Sequence, residues 1–329
     1  MPVVFPGLEP QTYRRHALHD HARHWPETNC YVDLWIELLS ASGHDPTAVM
    51  GFTLAQDFEG DQFTFFKMPA ADLARLYGVE VLELSIFDRL ESHVVEQVSR
   101  GRLPLVEVDA YFLPDTRGVT YRTEHSKTTI GVNRIDPAAR VLGYFHNAGY
   151  FALEGEDYDA VLRPETSGGL PLFPYVEFVK FGAAAPSRDL LGDARALFEH
   201  HLARRPTGNP LKAWRAAFDA HAADLATRPP CYFHAYAFNT LRQVGANFEL
   251  LASHLAWLAE RGEAGLAGPR AAAAGIAETA KAMQFKLARA MARKSFDGLG
   301  PLIDTMARSH DELFGLIGER SAGERSAAA

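Results

Sequence analysis

The sequence predicts an α+β domain followed by a helical bundle. Three patterns carry that expectation. A helical periodicity starts at Cys30 and places Tyr31, Leu34, Trp35, Leu38 and Leu39 on one stripe. Strand-like segments dominate between Leu105 and Phe181, and helical segments dominate from Ser187 to Gly318. The expected boundaries are 1–185 for the first domain with an irregular leader, 186–320 for the helical domain, and 321–329 for a small, polar, disordered tail.

Each element has a local reason. Thr28 or Asn29 can cap the helix that begins at Cys30 and should end near Gly43. Asp45-Pro46 can open a second helix through Ala55. Phe63 to Lys67 reads as a short strand, and Pro69 opens a helix that stops at Gly78. Val79 to Leu84 is β-prone, and Phe87 to Arg100 is a helix closed by Gly101. From Leu105 to Phe112 the chain alternates, with Glu107, Asp109 and Tyr111 on one face and Val106, Val108 and Phe112 on the other. Thr128–Ile135 and Val141–Phe145 form a hairpin across the Asp136-Pro137 turn. Tyr150–Leu153 and Tyr175–Phe181 are further strands, and the run from Tyr232 to Arg261 keeps helical spacing.

Composition narrows the function. The chain has 329 residues, 47% of them hydrophobic, which suffices for about two domains with real cores. A net charge of −8 argues against a general nucleic-acid binder. Met1 to Pro26 lacks the apolar segment of a signal peptide, and no stretch reaches the length of a membrane span. Cys30 and Cys231 are the two cysteines and form neither a CxxC motif nor a disulfide framework, so a reducing cytoplasm is expected.

Cys30 is the first chemical signal. In the first turn of its helix, free N–H groups and the helix dipole favour a thiolate. Thiol catalysis also needs a base and a group that orients it. Papain-like folds supply these in the order Cys, His, Asn or Asp, from a helix start and two neighbouring strands. The sequence offers Cys30, then His125 just before a strand, then Asn147 at the end of the paired strand, with His146 as a competing base. The Cys30 backbone N–H, helped by Asn29, is the expected oxyanion donor. Asp109 is the expected carboxylate for a substrate ammonium, with Tyr111 on the same strand face and His146 completing the substrate side.

Five segments carry a resemblance. They are Asn29–Trp35, Asp57–Gln62, Glu107–Thr116, His125–Thr129 and Tyr144–Asn147. Together they resemble a bacterial family of unknown function, domain-of-unknown-function family 1839. More distantly, the Asp-x-x-x-Leu-Pro pattern of Asp109 to Pro114 followed by a histidine is similar to the butirosin-type acyltransferases. The resemblance implies a papain-like fold, Cys30 as nucleophile and His125 as base, with Asn147 where relatives often carry Asp. It implies a cysteine acyltransferase that takes an acyl or aminoacyl group from the phosphopantetheine arm of a carrier protein and passes it to an amine or hydroxyl on a small molecule or peptide. No cofactor bound by the protein itself is implied. The rival readings are a cysteine hydrolase (peptidase, amidase or thioesterase) and a binding protein in which Cys30 only packs.

Other motifs are weaker. His16, His19, His21 and His24 lie within nine residues but lack cysteines or a catalytic zinc pattern, so no metal is expected. Asp57, Glu59 and Asp61 lack the later Glu of a calcium loop, since position 68 is Met. Lys286, Arg289 and Arg293 form one stripe of a predicted helix whose other face carries Met283, Leu287 and Met291. In an acidic chain this stripe is the expected docking surface for an acidic carrier protein.

Overall fold

Asn29 starts the first helix. Its Oδ1 accepts from the backbone N–H groups of Tyr31 and Val32, and α1 runs Cys30–Ala41. The computed structural model of the chain describes residues 1–163 and 173–328. They fall into two compact units. One comprises Met1–Asp20, Asn29–Pro46 and Pro69–Arg188; the other comprises His21–Thr28, Thr47–Met68 and Asp189–Ala329. Two segments of the N-terminal half, His21–Thr28 and Thr47–Met68, belong with the helical unit.

In the first unit α1 is followed by α2 (Ala70–Tyr77), β1 (Glu80–Glu83), α3 (Leu90–Ser99), β2 (Leu103–Asp109), β3 (Lys127–Asp136), β4 (Val141–His146), β5 (Gly149–Glu154), α4 (Glu156–Leu162) and β6 (Val176–Lys180). Gly78 closes α2 in a left-handed conformation at φ +66°. The six strands form one sheet in the order β1-β6-β2-β3-β4-β5, with every neighbouring pair antiparallel. The unit is thus α+β, as the strand and helix patterns predict.

The register assigns the two faces. Leu105 pairs with Gly131, Glu107 with Thr129 and Asp109 with Lys127, so these six positions share one face. That face carries α1, which packs on β3 and β4. Gly131 permits the approach: a Cβ there would stand 3.2 Å from Leu34 Cδ1. Val106, Val108, Thr128, Ile130, Val132 and Tyr144 share the opposite face. Its apolar members pack in one core with Leu90, Val94 and Val98 of α3 and Tyr158, Val161 and Leu162 of α4.

α1 is buried from Tyr31 to Leu39, including Asp33 and Glu37. The leader satisfies those acids. His19, which is fully buried, donates from Nδ1 to Glu37 Oε1 at 2.5 Å and stands with Nε2 3.3 Å from Asp33 Oδ1. The Tyr13 hydroxyl donates to Glu37 Oε2 at 2.6 Å, and the His16 backbone N–H donates to Oε1 at 3.0 Å. The expected irregular leader is in this stretch a fixed part of the core, because the buried acids of α1 require partners.

The second unit contains α5 (Leu190–Ala203), α6 (Pro210–Thr227), α7 (Phe233–Ala237), α8 (Gln243–Glu260), α9 (Ala267–Arg293) and α10 (Gly300–Ala328). A π-helical turn at Phe238–Arg242 joins α7 to α8. Three expectations change. Pro46–Ala55 is 3-10 rather than α-helical. Phe63–Lys67 joins no named strand; Phe63 makes an isolated bridge with Phe58 and its N–H donates to the Asn239 carbonyl at 3.0 Å. The segment from Ser321, expected to be disordered, continues α10 to Ala328, as its Ala, Glu and Arg content favours. Among the described residues no helix is long and apolar enough to cross a membrane.

Candidate active site

Cys30 occupies the first position of α1, half-buried, at the end of the sheet where β2 finishes and β3 begins. Thr128, Thr129 and Lys127 of β3 are the neighbours that act on its sulfur from the sheet. Burial pushes the thiol up, with Asp33 adding to that; Thr128, Thr129 and the Lys127 ammonium oppose it without prevailing. This corrects the expectation of a thiol lowered by the helix start: desolvation of the anion outweighs the donors. Cys231, in contrast, is exposed.

His125 lies two residues before β3. Its Nδ1 donates to Asp109 Oδ2 at 2.5 Å, and its ring stacks on Tyr111 with centroids 4.4 Å apart and planes 11° apart. Asp109 Oδ1 accepts from the backbone N–H groups of Tyr111, at 3.0 Å, and Ser126, at 3.1 Å. Burial works against the charge of Asp109, but His125 and the two N–H groups outweigh it and hold the carboxyl below its usual range. The residues between β2 and His125 are anchored as well. The Arg122 guanidinium sits over Tyr111 and Phe112 and pairs with Asp157 of α4.

Two expected site residues stand differently from the sequence expectation. Asp109, expected to hold a substrate ammonium, is paired with His125. Asn147, expected as the residue that orients His125, stands in the turn between β4 and β5 at φ +44°, a conformation Asn tolerates. The reason is register. The Ala110 N–H donates to the Ser126 carbonyl at 2.8 Å, which folds the approach to β3 back onto the end of β2 and places His125 beside Asp109. Tyr111, expected on the substrate side, is the platform under the imidazole.

His146 is 1% exposed, so it cannot line an open substrate surface as expected. Its Nδ1 lies 2.6 Å from Asp115 Oδ2 and its Nε2 lies 2.7 Å from Thr128 Oγ1. The Tyr144 hydroxyl donates to the other oxygen of Asp115. Around Cys30 the same end of the sheet carries Lys127, paired with Glu107 at 2.6 Å, and Glu177, which accepts from the Tyr31 hydroxyl at 2.9 Å and the Tyr175 hydroxyl at 3.0 Å. Asn29, expected as an oxyanion donor, is buried and spends its Oδ1 on the helix cap. Sequence reasoning singled out the segments that contain Thr128 and Asp115 but gave neither residue a role. Both stand in the segments that carry the family resemblance, which was the available signal.

A model of the DUF1839 N-terminal domain matches residues 14–181, and a model of the DUF1839 C-terminal domain matches residues 187–318. The chain belongs to the DUF1839 family. Cys30, Asp109, Asp115, His125, Thr128 and His146 all fall within the DUF1839 N-terminal domain, and Lys286, Arg289 and Arg293 fall within the C-terminal one. No curated protein matches the chain. On α9, Lys286, Arg289 and Arg293 are exposed, whereas Met283, Leu287 and Met291 are buried.

Proposed function

We propose that this DUF1839 chain is a cysteine acyltransferase with a papain-like arrangement, in which Cys30 is the nucleophile and His125, oriented by Asp109, is the base toward the acceptor. The observation that carries the reading is the pairing of a thiol at the start of α1 with a carboxylate-held imidazole at the same end of the sheet. Cys30 Sγ attacks the carbonyl of a thioester on a carrier-protein phosphopantetheine arm. The carbon–sulfur bond to the arm breaks, the arm leaves as a thiol, and an acyl-cysteine remains. An amine or hydroxyl of the acceptor then attacks, His125 Nε2 takes its proton, and the Cys30 thiol is restored. A thioester donor suits a half-buried thiol. Its leaving group resembles the attacking group and needs less help from a proton than an amide nitrogen does.

His125→Ala should slow acyl transfer to the acceptor by about 10²–10⁴-fold, the usual contribution of a positioned base. Asp109→Asn should slow it by at least about a hundredfold, because Nδ1 loses the acceptor that fixes its tautomer. Asn147→Ala should leave transfer near wild type. The measurement is single-turnover transfer from an aminoacyl carrier protein to hydroxylamine. Wild-type rates in both the His125 and Asp109 variants would place the base elsewhere. Release of free acid instead of the hydroxamate would identify a hydrolase.

The exposed stripe of Lys286, Arg289 and Arg293 is the surface we assign to carrier docking. Reversing the charge of Arg289 and Arg293 should weaken carrier binding at low salt and flatten its salt dependence, since steering of this kind is screened. A small thioester without a carrier should still acylate Cys30 normally. Unchanged carrier affinity in that double variant would move the docking surface elsewhere.

A further inference from the structure

We infer that the pocket between the Arg205–Asn209 turn and α10 is a binding site for a small oxyanion, recognised by the His310 imidazole and the Arg205 guanidinium. The inference concerns the second unit alone and uses none of the residues proposed for acyl transfer. The pocket measures about 190 Å³, enough for a small molecule but not for a large cofactor. His310, on α10, lines it and is 9% exposed, yet its ring nitrogens have no hydrogen-bond partner among the described residues. Burying a polar group without a partner is costly, so such a group on a pocket wall points to a ligand. The ring is held by aromatic neighbours: Phe314 at 4.6 Å between centroids and Phe248 of α8 at 5.9 Å.

The facing wall supplies charge and donors. Arg205 follows α5; its guanidinium lies 5.6 Å from the Phe314 ring centroid and donates to the Leu202 carbonyl at 2.7 Å. Among the described residues it makes no ion pair, so its charge is uncommitted. The backbone N–H groups of Thr207, Gly208 and Asn209 follow round the turn, and none of them donates to a group among the described residues. Successive N–H groups of this kind add partial positive charge. Asp311 also lines the pocket, but its carboxylate is already answered. Oδ2 pairs with Lys212 Nζ of α6 at 2.8 Å, and Oδ1 accepts from Asn209 Nδ2 at 2.9 Å. The uncommitted groups are thus a cation, N–H donors and an imidazole, a set that matches an oxyanion and not an ammonium. Burial pushes His310 from 6.5 down to about 4; Asp311 opposes that, and Lys212 and Arg205 add to it. The imidazole is therefore neutral near neutral pH. An anion against the ring favours the imidazolium, so binding takes up a proton. Affinity should rise as pH falls towards about 4. For one proton the rise is at most about tenfold per pH unit.

The test is calorimetric titration of the full chain with formate and with inorganic phosphate, from mildly acidic to neutral pH, with ethylammonium as the cationic control. The site predicts that at least one anion binds, more tightly at the acidic end, and that ethylammonium does not. Formate without phosphate would mark carboxylates as the ligands it takes, and phosphate without formate would mark phosphates. Arg205→Gln should weaken binding by about tenfold or more, the worth of one charge-assisted hydrogen bond. His310→Gln should flatten the pH dependence to that of the anion's own titration. The assignment is overturned if neither anion binds at any pH, if Arg205→Gln binds as the wild type does, or if ethylammonium binds in their place. An unchanged pH dependence in His310→Gln overturns it equally. Should His310→Gln fail to fold, nitrogen NMR of that imidazole in the wild type decides. Saturating anion should raise its titration midpoint by about one pH unit or more, and an unmoved midpoint contradicts the site. Binding is read without turnover, so these outcomes are separate from loss or survival of acyl transfer in Cys30→Ala.

Discussion

Cys30→Ala should reduce acyl transfer by at least about a thousandfold while leaving the unfolding temperature close to that of the wild type. The kinetic half follows from covalent catalysis: without Sγ no acyl-enzyme forms, and the remaining groups can only bind and polarise the substrate. The structural half follows from the position. Alanine is the best helix former, and Asn29, which caps the helix, is untouched. Thr128 has His146 as its partner, so its hydroxyl does not depend on the sulfur. Single-turnover transfer together with thermal unfolding checks both halves.

The second large effect concerns stability. His19→Gln should destabilise the protein by about 3–5 kcal/mol, the range for removing one partner of a buried ion pair. Both buried acids would then lose the imidazole, and Glu37 would keep the Tyr13 hydroxyl and the His16 N–H. Burial alone would push the His19 imidazole down. The hydrogen bonds to Asp33 and Glu37 outweigh it and raise the ring from 6.5 to about 9. Burial likewise works against the Glu37 charge, but His19, Tyr13 and the His16 N–H hold that carboxyl below its usual 4.5. The raised imidazole stabilises the fold fully below pH 6.5, and that contribution is lost as pH climbs through about 9. The lowered carboxyl stabilises the fold above pH 4.5 and is lost on acidification. Urea unfolding should therefore show a decline in stability between pH 6.5 and about 9 that is absent in His19→Gln. An identical decline in both proteins would contradict the assignment.

Much of this was legible in the sequence, and the exceptions have physical reasons. α1 and its cap could be read because periodicity and capping are local, and β2 to β6 could be read from their alternation and turns. The segment Phe63–Lys67 could not. A five-residue apolar run fits a strand or a packed loop equally well, and its Phe63 N–H found a helix carbonyl at Asn239. Cys30 and His125 stood out as residue types at a helix start and just before a strand. The partner of His125 did not, because it depends on how Ala110 to Ser126 folds back onto β2. Nor did the contact between Thr128 and His146, which requires knowing that the two meet where β4 ends. The buried His19 was masked by its own setting, four histidines in a leader without visible periodicity, although Asp33 and Glu37 on an otherwise apolar helix signalled that a partner was needed.

Intact-protein mass spectrometry after brief mixing with an aminoacylated carrier protein, followed by peptide mapping, tests the central claim most directly. A mass increase equal to the aminoacyl group, located on Cys30, absent from Cys30→Ala and discharged by an added amine, is the predicted result. Consumption of the aminoacyl carrier at the wild-type rate by Cys30→Ala, or an adduct located on Cys231 instead, would contradict it.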